Sequence, residues 1–457
     1  QIIAFVLRCY EAYTKFIRCF RESFMSKKTV TSRGGRFLKL AGMTASVASR
    51  YASERVQSVF SDEEKVSARK KVAYEKMADD IVGTLGDLKG AVMKIGQIAS
   101  QTQDLLPKEF SDALKKLQKE APPVDFSVIR KQVESELGGS LEELYKEFDV
   151  EPFASASIGQ VHRAITLSGE EVVVKVQYPG VDRSCDSDLK QLRLTLKLGG
   201  LLKLPKESVD ALFNEIKDRL HEELDYENEA NNIRLFADFH ANHSDIVVPK
   251  VYDKLSTRHI LTLEYLFGDH ADELLEKEYT QSQINQLGEN LFSMLAQHLF
   301  EFQKIHGDPH PGNFAFRRDG KIIIYDFGCI KILKPEIVEA YKNAIQSSLS
   351  EDYDGVDEAL QRLGARVDGK ASPGEDYYKV WRNIFFEPFL VNRDYDFKEA
   401  KLHIEAAKNT SLLFKYLAHF KPPVESLYID RMISGHYWLV KTMGVEANFL
   451  PVLKRYL

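Results

Sequence analysis

The sequence has few of the features that assign a chain to a class at once. Its 457 residues include four cysteines, none of them in a C-x-x-C pair, which argues against a disulfide framework and favours a reducing compartment. A net charge of −6 gives no reason to expect nucleic acid as a partner. No run of apolar residues approaches the roughly 18 to 20 that a membrane-spanning helix needs. With 44% hydrophobic and 28% charged residues, the chain is predicted to be globular and large enough for two lobes with extensions.

Two short motifs in the second half of the chain carry the clearest chemical signal. Residues 306–313 read H-G-D-P-H-P-G-N and residues 326–328 read D-F-G, so Asp326 follows Asn313 by thirteen positions. In kinase-like phosphoryl transfer, the Asp of an H-x-D-x-x-x-x-N loop orients or deprotonates a hydroxyl, while its Asn and the D-F-G Asp hold magnesium. We therefore expect Asp308 to take the catalytic-base position and Asn313 and Asp326 to bind Mg²⁺.

The surrounding sequence gives both motifs a suitable setting. Residues 291–305 have a helical apolar pattern, which predicts a helix ending at the first motif, and residues 321–325 read as a buried strand leading into the second. His306 and His310 have the i, i+4 spacing of a zinc pair, but the nearby prolines break the helix that such a pair needs. We interpret these histidines as loop residues, not as metal ligands.

A kinase-like site also requires a strand lysine, a loop over the phosphates and a helical glutamate. Lys175 lies in a β-branched run at 172–177 and is predicted to contact the phosphates of ATP or ADP. The preceding loop, residues 153–161, has one glycine, so its alanines and serines should make it stiffer than a glycine-rich loop. Residues 208–239 predict one long helix with a dense acidic stretch, of which at least one member should face Lys175. Its acidic residues are Glu223, Asp225, Glu227 and Glu229.

Together these features resemble the UbiB or aarF-domain family of atypical kinases, over most of the chain from about residue 89 to about residue 432. The resemblance rests on five ordered motifs. They are K-I-G-Q at 94–97, A-S-A-S-I-G-Q-V-H at 154–162, E-L-D at 223–225, H-G-D-P-H-P-G-N and D-F-G. The resemblance implies an α+β, bilobal protein-kinase-like fold with an N-terminal helical extension and a helix-rich C-lobe.

The resemblance also implies roles for individual residues. Lys175 would pair with Glu229, and adenine would bind at a hinge that contains Glu264 and Leu266. An alanine-rich loop would contact the nucleotide, and a serine replaces one of the family's usual three alanines. The loop residues are Ala154, Ser155, Ala156 and Ser157. The K-x-G-Q element would lie over the active site near the E-L-D acids and obstruct the place where a protein kinase holds a peptide. This regulatory set is Lys94, Gly96, Gln97, Glu223 and Asp225.

The sequence after Gly328 points away from peptide substrates. It returns almost at once to a helical pattern, without room for a long activation segment or an A-P-E anchor. We expect a small or lipid-like substrate, or ATP hydrolysis coupled to work on a partner. The resemblance implies a role in the biosynthesis of ubiquinone or another prenyl-lipid at a membrane, with phenolic quinone precursors and ubiquinone-biosynthesis proteins as partners. Two alternatives stay open: a nucleotide- and lipid-binding scaffold without turnover, and a protein kinase.

The predicted organisation has four parts. An N-terminal helical region to residue 80 is followed by the K-x-G-Q helical extension at 81–125. The kinase-like N-lobe covers 126–265 and carries a helical insertion at 183–204. The C-lobe covers 266–457, and its last hundred residues are predicted to form core helices without a site residue.

The start of the chain bears on membrane contact. Apolar and aromatic residues recur every three or four positions through residues 3–24, with basic residues among them. This pattern predicts an amphipathic helix that lies on a bilayer surface, or packs on the protein or on a partner helix. Residues 1–24 lack the arrangement of a secretory signal and precede an ordinary-looking start at Met25; a precursor remnant and a segment foreign to the native product are the two interpretations we weigh for them. The bacterial cytoplasm or inner-membrane surface and the matrix face of the mitochondrial inner membrane both remain open.

Overall fold

The computed structural model describes residues 39–47, 49, 76–77, 80–81, 84, 124–155, 158–198, 206–421 and 426–457. The predicted amphipathic segment 3–24 lies outside these residues, as do five predicted site residues: Lys94, Gly96, Gln97, Ala156 and Ser157. The chain divides into two compact units. The N-terminal unit comprises the described residues up to Ala230 together with Val251–Tyr265, and the C-terminal unit comprises Asn231–Lys250 and Leu266–Leu457.

The first part of the described chain mixes short strands with longer helices. Residues 39–47 are helical. The following elements are α1 (Phe126–Leu137), α2 (Leu141–Leu144), β1 (Tyr145–Phe148), β2 (Ala154–Ser155), β3 (Gly159–Thr166), β4 (Glu171–Gln177), α3 (Val181–Leu198), α4 (Lys206–Glu223), α5 (Tyr226–Phe239), β5 (Ile246–Val247) and β6 (Ile260–Glu264).

The N-terminal unit is built on an antiparallel sheet in the order β1–β3–β4–β6, with β2 paired to β3. Val172, Val174 and Val176 of β4 are at most 1% exposed and belong to one hydrophobic core with residues of α1, α3 and α4. Because side chains alternate between the two faces of a strand, Lys175 points to the opposite face. The β-branched run thus forms a strand that buries its valines and presents one cation.

The prediction of one helix over 208–239 is wrong, because the chain breaks between α4 and α5. Leu224 turns into the core and is 3% exposed. Asp225 then begins α5, since its Oδ1 accepts a hydrogen bond from the Asn228 N–H at 3.0 Å. An Asp that satisfies a free N–H in this way favours a new helix start over continuation of the old helix.

The C-terminal unit is mainly helical. Its later elements are α6 (Gln281–Ala296), β7 (Lys304–His306), β8 (Phe314–Phe316), β9 (Ile322–Ile324), β10 (Ile330–Ile332), α7 (Pro335–Leu349), α8 (Tyr353–Arg362), α9 (Glu375–Phe385), β11 (Tyr395–Asp396), α10 (Leu402–Lys408), α11 (Thr410–Lys415), α12 (Ser426–Met443), β12 (Glu446–Ala447) and α13 (Leu450–Lys454). Three small sheets join β5–β9–β8, β7–β10 and β11–β12. One core cluster packs the end of α6 and β7 against α7 and α12, through Leu295, Leu299, Ile305, Ile337, Ile429 and Met432.

The helix predicted over 291–305 ends earlier than expected. After α6 the chain makes one π-helical turn, Gln297–Glu301, in which the Phe302 N–H donates to the Gln297 carbonyl at 2.9 Å. Gln303 then adopts a positive φ of 53°, which terminates the helical path and turns the chain into β7. The apolar residue Ile305 is therefore buried as part of a strand.

None of the helices in the described part of the chain combines the length and the apolar run that a bilayer crossing requires.

Candidate active site

The pairing of β7 with β10 brings the two catalytic motifs together. Ile330 lies opposite His306, and the Gly307 N–H donates to the Cys329 carbonyl at 2.7 Å. A Cβ atom at Gly307 would lie 2.7 Å from the Cys329 sulfur, so only glycine allows this approach. Asp308 therefore leaves β7 directly beside the D-F-G segment.

His306 ties the two motifs together instead of binding a metal. Its Nε2 lies 2.5 Å from the Asp326 carbonyl oxygen, and its Nδ1 accepts a hydrogen bond from the Asp308 N–H at 3.3 Å. A carbonyl can only accept, so Nε2 carries the proton that is donated to it, while Nδ1 is the accepting nitrogen. Both ring nitrogens of the buried His306 therefore form hydrogen bonds, one to each motif, and these bonds hold the catalytic loop next to the D-F-G segment.

The β8–β9 hairpin places Asn313 and Asp326 at the same end of the ladder. Phe314 pairs with Ile324, and beyond them the Tyr325 N–H donates to the Asn313 carbonyl at 2.9 Å. The Asn313 Nδ2 donates to the Asp308 carbonyl at 2.9 Å. The other end of the amide, Oδ1, is its acceptor atom. The Asp326 Oδ1 accepts from the Gly328 N–H at 3.0 Å. A carboxylate and an amide oxygen are hard donors of the type that Mg²⁺ prefers, so these residues fit the metal that the motifs imply.

Asp308 has a partner that sequence reasoning missed. Arg431 of α12 places Nη2 at 2.8 Å from the Asp308 Oδ1. A Cβ atom at Gly435, one turn later, would lie 2.3 Å from the Pro309 side chain, so this glycine lets α12 approach the loop. The expectation that the last hundred residues contribute nothing to the site is wrong. The sequence feature that could have indicated this contact is Gly435, which lies inside an otherwise regular helix. Glycine is unfavourable at such a position unless close packing requires it.

We expect Arg431→Gln to lower nucleotide turnover without changing the fold. The guanidinium fixes one carboxylate oxygen of Asp308, and a misplacement of about 1 Å at a reacting group can cost about 10²-fold in rate. Turnover should therefore fall by up to about 10²-fold, with the nucleotide KM little changed. Arg431→Lys should recover part of the loss because it keeps the charge. The exposed Arg362, which contacts Glu358 at 4.0 Å, provides the control Arg362→Gln, and equal losses in the two Gln variants would contradict a role for Arg431.

The D-F-G phenylalanine lies in a buried aromatic cluster of the C-terminal unit. Phe327 is 0% exposed and its ring centroid lies 5.3 Å from that of Phe236. The Phe327 carbonyl accepts a hydrogen bond from Asn232 Nδ2 at 2.9 Å. Next to Phe236, His240 and His298 face each other with their Nε2 atoms 2.7 Å apart. Burial lowers the pKa of His240 to about 4 and that of His298 well below its ordinary value, so both rings are neutral core residues at physiological pH.

In the N-terminal unit, the structure places Lys175 against Glu229. The Lys175 Nζ lies 2.5 Å from the Glu229 Oε1, and the side chains are 16% and 4% exposed. The ammonium also lies 5.4 Å from the centroid of the Tyr226 ring. Of the other acidic residues in this stretch, Glu223 ends α4 and Asp225 begins α5. Because the chain breaks between α4 and α5, the acidic residues of the predicted cluster do not lie on one continuous helix.

Of the predicted loop and hinge residues, Ala154, Ser155 and Glu264 lie in the sheet of the N-terminal unit. Ala154 and Ser155 are exposed in β2 and pair with β3. A Cβ atom at Gly159 would lie 2.4 Å from the Val176 carbonyl oxygen, so this glycine is required by the contact between β3 and β4. Glu264 ends β6 opposite Val172. In the C-terminal unit, the Leu266 carbonyl accepts a hydrogen bond from the Tyr325 hydroxyl at 2.9 Å.

The exposed Arg163 side chain contacts one residue at the start of this loop and one residue directly after β6. The Arg163 guanidinium lies 4.4 Å from the Phe153 ring centroid and 4.5 Å from that of Tyr265, and it donates to the Tyr265 hydroxyl at 2.6 Å. Cation–π contacts of this kind contribute about 0.5 to 1 kcal/mol each at exposed sites. Phe153 and Tyr265 are far apart in sequence, so the pattern alone could not have found this contact.

The two units together carry the parts of a kinase-like protein. The β-rich N-terminal unit holds the lysine–glutamate pair, and the helical C-terminal unit holds the catalytic loop and the D-F-G segment. Residues 116–360 match the family model described as the ABC1 atypical kinase-like domain. The chain belongs to the ABC1 atypical kinase-like family, which confirms the resemblance to UbiB or aarF-domain kinases inferred from its motifs.

Several known proteins are similar to the chain over long stretches. It is 35% identical over 71% of its length to the protein ACTIVITY OF BC1 COMPLEX KINASE 8, chloroplastic, of Arabidopsis thaliana, and spans 42% of that protein. It is 30% identical over 92% of its length to the probable serine/threonine-protein kinase abkA of Dictyostelium discoideum, spanning 77% of it. It is 27% identical over 95% of its length to atypical kinase COQ8, mitochondrial, of Saccharomyces cerevisiae, spanning 86% of it.

A solved structure supports the fold assignment. The complex of Rv3197 with erythromycin from Mycobacterium tuberculosis matches with a TM-score of 0.60 and 27% identity, over 87% of this chain and 98% of that one. The predicted α+β kinase-like fold is confirmed.

Proposed function

We propose that this protein is an atypical kinase or ATPase that binds a magnesium–nucleotide and acts on a small or lipid-like molecule in ubiquinone or other prenyl-lipid biosynthesis. The observation that carries the proposal is the Lys175–Glu229 ion pair, together with the placement of Asn313 and Asp326 at one end of a hairpin. Family membership supports nucleotide binding. The prenyl-lipid role rests on the motif resemblance.

Each residue in the proposal has a defined task. Lys175, held by Glu229, contacts the nucleotide phosphates, which the loop residues at 154–157 are proposed to bind. The adenine hinge contains Glu264 and Leu266. Asn313 and Asp326 hold Mg²⁺, which when bound neutralises charge that develops on the phosphates. Asp308, oriented by Arg431, positions the hydroxyl or water that receives the phosphoryl group.

The segment after D-F-G supports a substrate other than a peptide. Only residues 329–334 separate Gly328 from α7, and three of them form β10, which pairs with β7. A protein kinase places a long activation segment here, ending at an A-P-E anchor. The K-x-G-Q element, whose proposed regulatory residues include Lys94 and Gln97, would add an obstruction to peptides.

The nucleotide-binding scaffold without turnover is the second candidate, and the contact of Arg431 with Asp308 favours it. The Arg431 Nη2 lies 2.8 Å from the Asp308 Oδ1, so one oxygen of this carboxylate is already engaged by a cation. Such a site suits the orientation of water or binding alone better than deprotonation of a hydroxyl.

Measured turnover distinguishes these candidates. Magnesium-dependent ATP hydrolysis by the purified protein, assayed with and without liposomes and with phenolic quinone precursors, is the direct test. We expect basal turnover that rises when the lipid or the phenol is added. Absence of turnover under all conditions, with nucleotide still bound, would establish the scaffold. Efficient phosphorylation of added peptides would instead support a protein kinase.

A further inference from the structure

A second group of reactive side chains lies on α3 and α4 of the N-terminal unit and includes none of the residues assigned above. Cys185 and Asp186 are consecutive in α3, and His221 lies in the last turn of α4. The His221 Nε2 is 4.0 Å from the Cys185 Sγ and 3.0 Å from the Asp186 Oδ1. The three ligand atoms lie within 4.8 Å of one another.

We propose that Cys185, Asp186 and His221 bind a divalent transition-metal ion such as Zn²⁺. A tetrahedral zinc ion with bonds of about 2.3 Å to sulfur and about 2.0 Å to nitrogen keeps these two atoms about 3.5 Å apart. The sulfur–nitrogen distance is 4.0 Å and the nitrogen–oxygen distance is 3.0 Å, and all three ligand atoms lie within 4.8 Å of one another, so shifts of about 1 Å would bring them to tetrahedral spacing around one ion. Thiolate, imidazole and carboxylate together favour zinc over magnesium or calcium.

The charges around the thiol also favour a cation. Asp182, Asp186 and Asp188 all lie within three positions of Cys185 on α3, so three carboxylates surround this thiol in sequence. The same carboxylates attract a divalent ion, whose binding displaces the thiol proton. The Lys217 Nζ contacts the other oxygen of Asp186, Oδ2, at 3.3 Å, so Oδ1 remains directed toward His221.

The alternative is that Asp186, His221 and Lys217 form an ordinary surface ion-pair network above a buried cysteine. His221 and Asp186 have side chains that are 49% and 45% exposed, which suits such a network. The two interpretations predict different chemical states for the Cys185 sulfur. A network leaves Cys185 as a neutral thiol in the core, whereas a metal site converts it to a thiolate bonded to the ion.

Cobalt titration of the full chain tests the proposal. After treatment with a chelator, the protein is titrated with Co²⁺, which replaces zinc and gives a thiolate-to-cobalt charge-transfer band in the near ultraviolet. We expect the band to saturate at one thiolate-bound Co²⁺ per chain, to be lost when Zn²⁺ displaces the cobalt, and to be absent in Cys185→Ala. His221→Gln should weaken binding by at least the roughly 10- to 100-fold that loss of an outer-shell partner costs.

The controls separate this site from other thiols and from the nucleotide site. Cys329→Ala, a change at the other cysteine that the structure describes, and Asp326→Asn should both keep the band. Because His221 is exposed, His221→Gln should leave the metal-free circular dichroism and melting temperature unchanged. The proposal fails if the native chain shows no band, if the band survives in Cys185→Ala, or if His221→Gln binds Co²⁺ as tightly as the native chain.

Discussion

Asp326→Asn is expected to lower magnesium-dependent nucleotide turnover by about 10²- to 10³-fold, the scale on which loss of one preorganised electrostatic group reduces catalysis. The substitution removes a negative charge from the proposed metal position and keeps the side-chain shape. The Asn carbonyl oxygen can still accept the Gly328 N–H, which the Asp326 Oδ1 accepts at 3.0 Å. The loop geometry should therefore persist, and the loss should reflect charge.

Two measurements isolate this effect. Nucleotide binding by calorimetry, with and without Mg²⁺, should show that the variant loses the magnesium-dependent part of the affinity. Asp319→Asn is the matched control, because Asp319 has a side chain that is 52% exposed, in the turn between β8 and β9. If Asp326→Asn bound the magnesium–nucleotide as the native protein does, the assignment of Asp326 to the metal would be wrong.

Lys175→Met is expected to destabilise the protein by about 3 to 5 kcal/mol, the usual cost of removing one partner from a buried ion pair. The Glu229 side chain is only 4% exposed and its Oε1 lies 2.5 Å from the ammonium. Removal of the lysine would leave this carboxylate in the core without its nearest cation. Glu229→Gln should cost less, because the amide can still accept a hydrogen bond from Lys175.

A double-mutant cycle measures the coupling between the two residues. Denaturant unfolding of the two single variants and of Lys175→Met/Glu229→Gln should give a double variant less destabilised than the sum of the singles. Lys408→Met is the control, since Lys408 and Glu405 form an exposed pair with side chains 64% and 45% exposed, a type worth less than about 1 kcal/mol. Additive free energies in the cycle would show that the ion pair does not stabilise the fold.

The parts of the fold that local patterns determine could be predicted from the sequence. The β-branched run around Lys175 forms β4, and the apolar run before Asp326 forms β9. Both patterns report burial directly, because a strand of alternating or continuous apolar residues has few other stable arrangements. The motif spacing likewise predicts Asn313 and Asp326 as Mg²⁺ ligands, and the structure places both residues at one end of the β8–β9 hairpin.

Tertiary contacts determined what could not be predicted. The break before α5 depends on the burial of Leu224 and on the hydrogen bond of Asp225, which compete with a helical pattern that is locally continuous. The π turn after α6 leads into β7, whose pairing partner β10 lies about 25 residues further along the chain, outside the local helical pattern. Arg431 lies 123 positions from Asp308, and no local pattern connects them.

The contact of α12 with the catalytic loop defines how much of the chain the proposed chemistry needs. The family match ends at residue 360, and a chain cut there would retain Asp308, Asn313 and Asp326. It would lose Arg431, and it would lose the Ile429 and Met432 side chains, both 0% exposed, that complete the core around α6 and β7. We therefore expect the smallest fragment that folds around this loop to extend to the end of α12, beyond the end of the family-model match at residue 360.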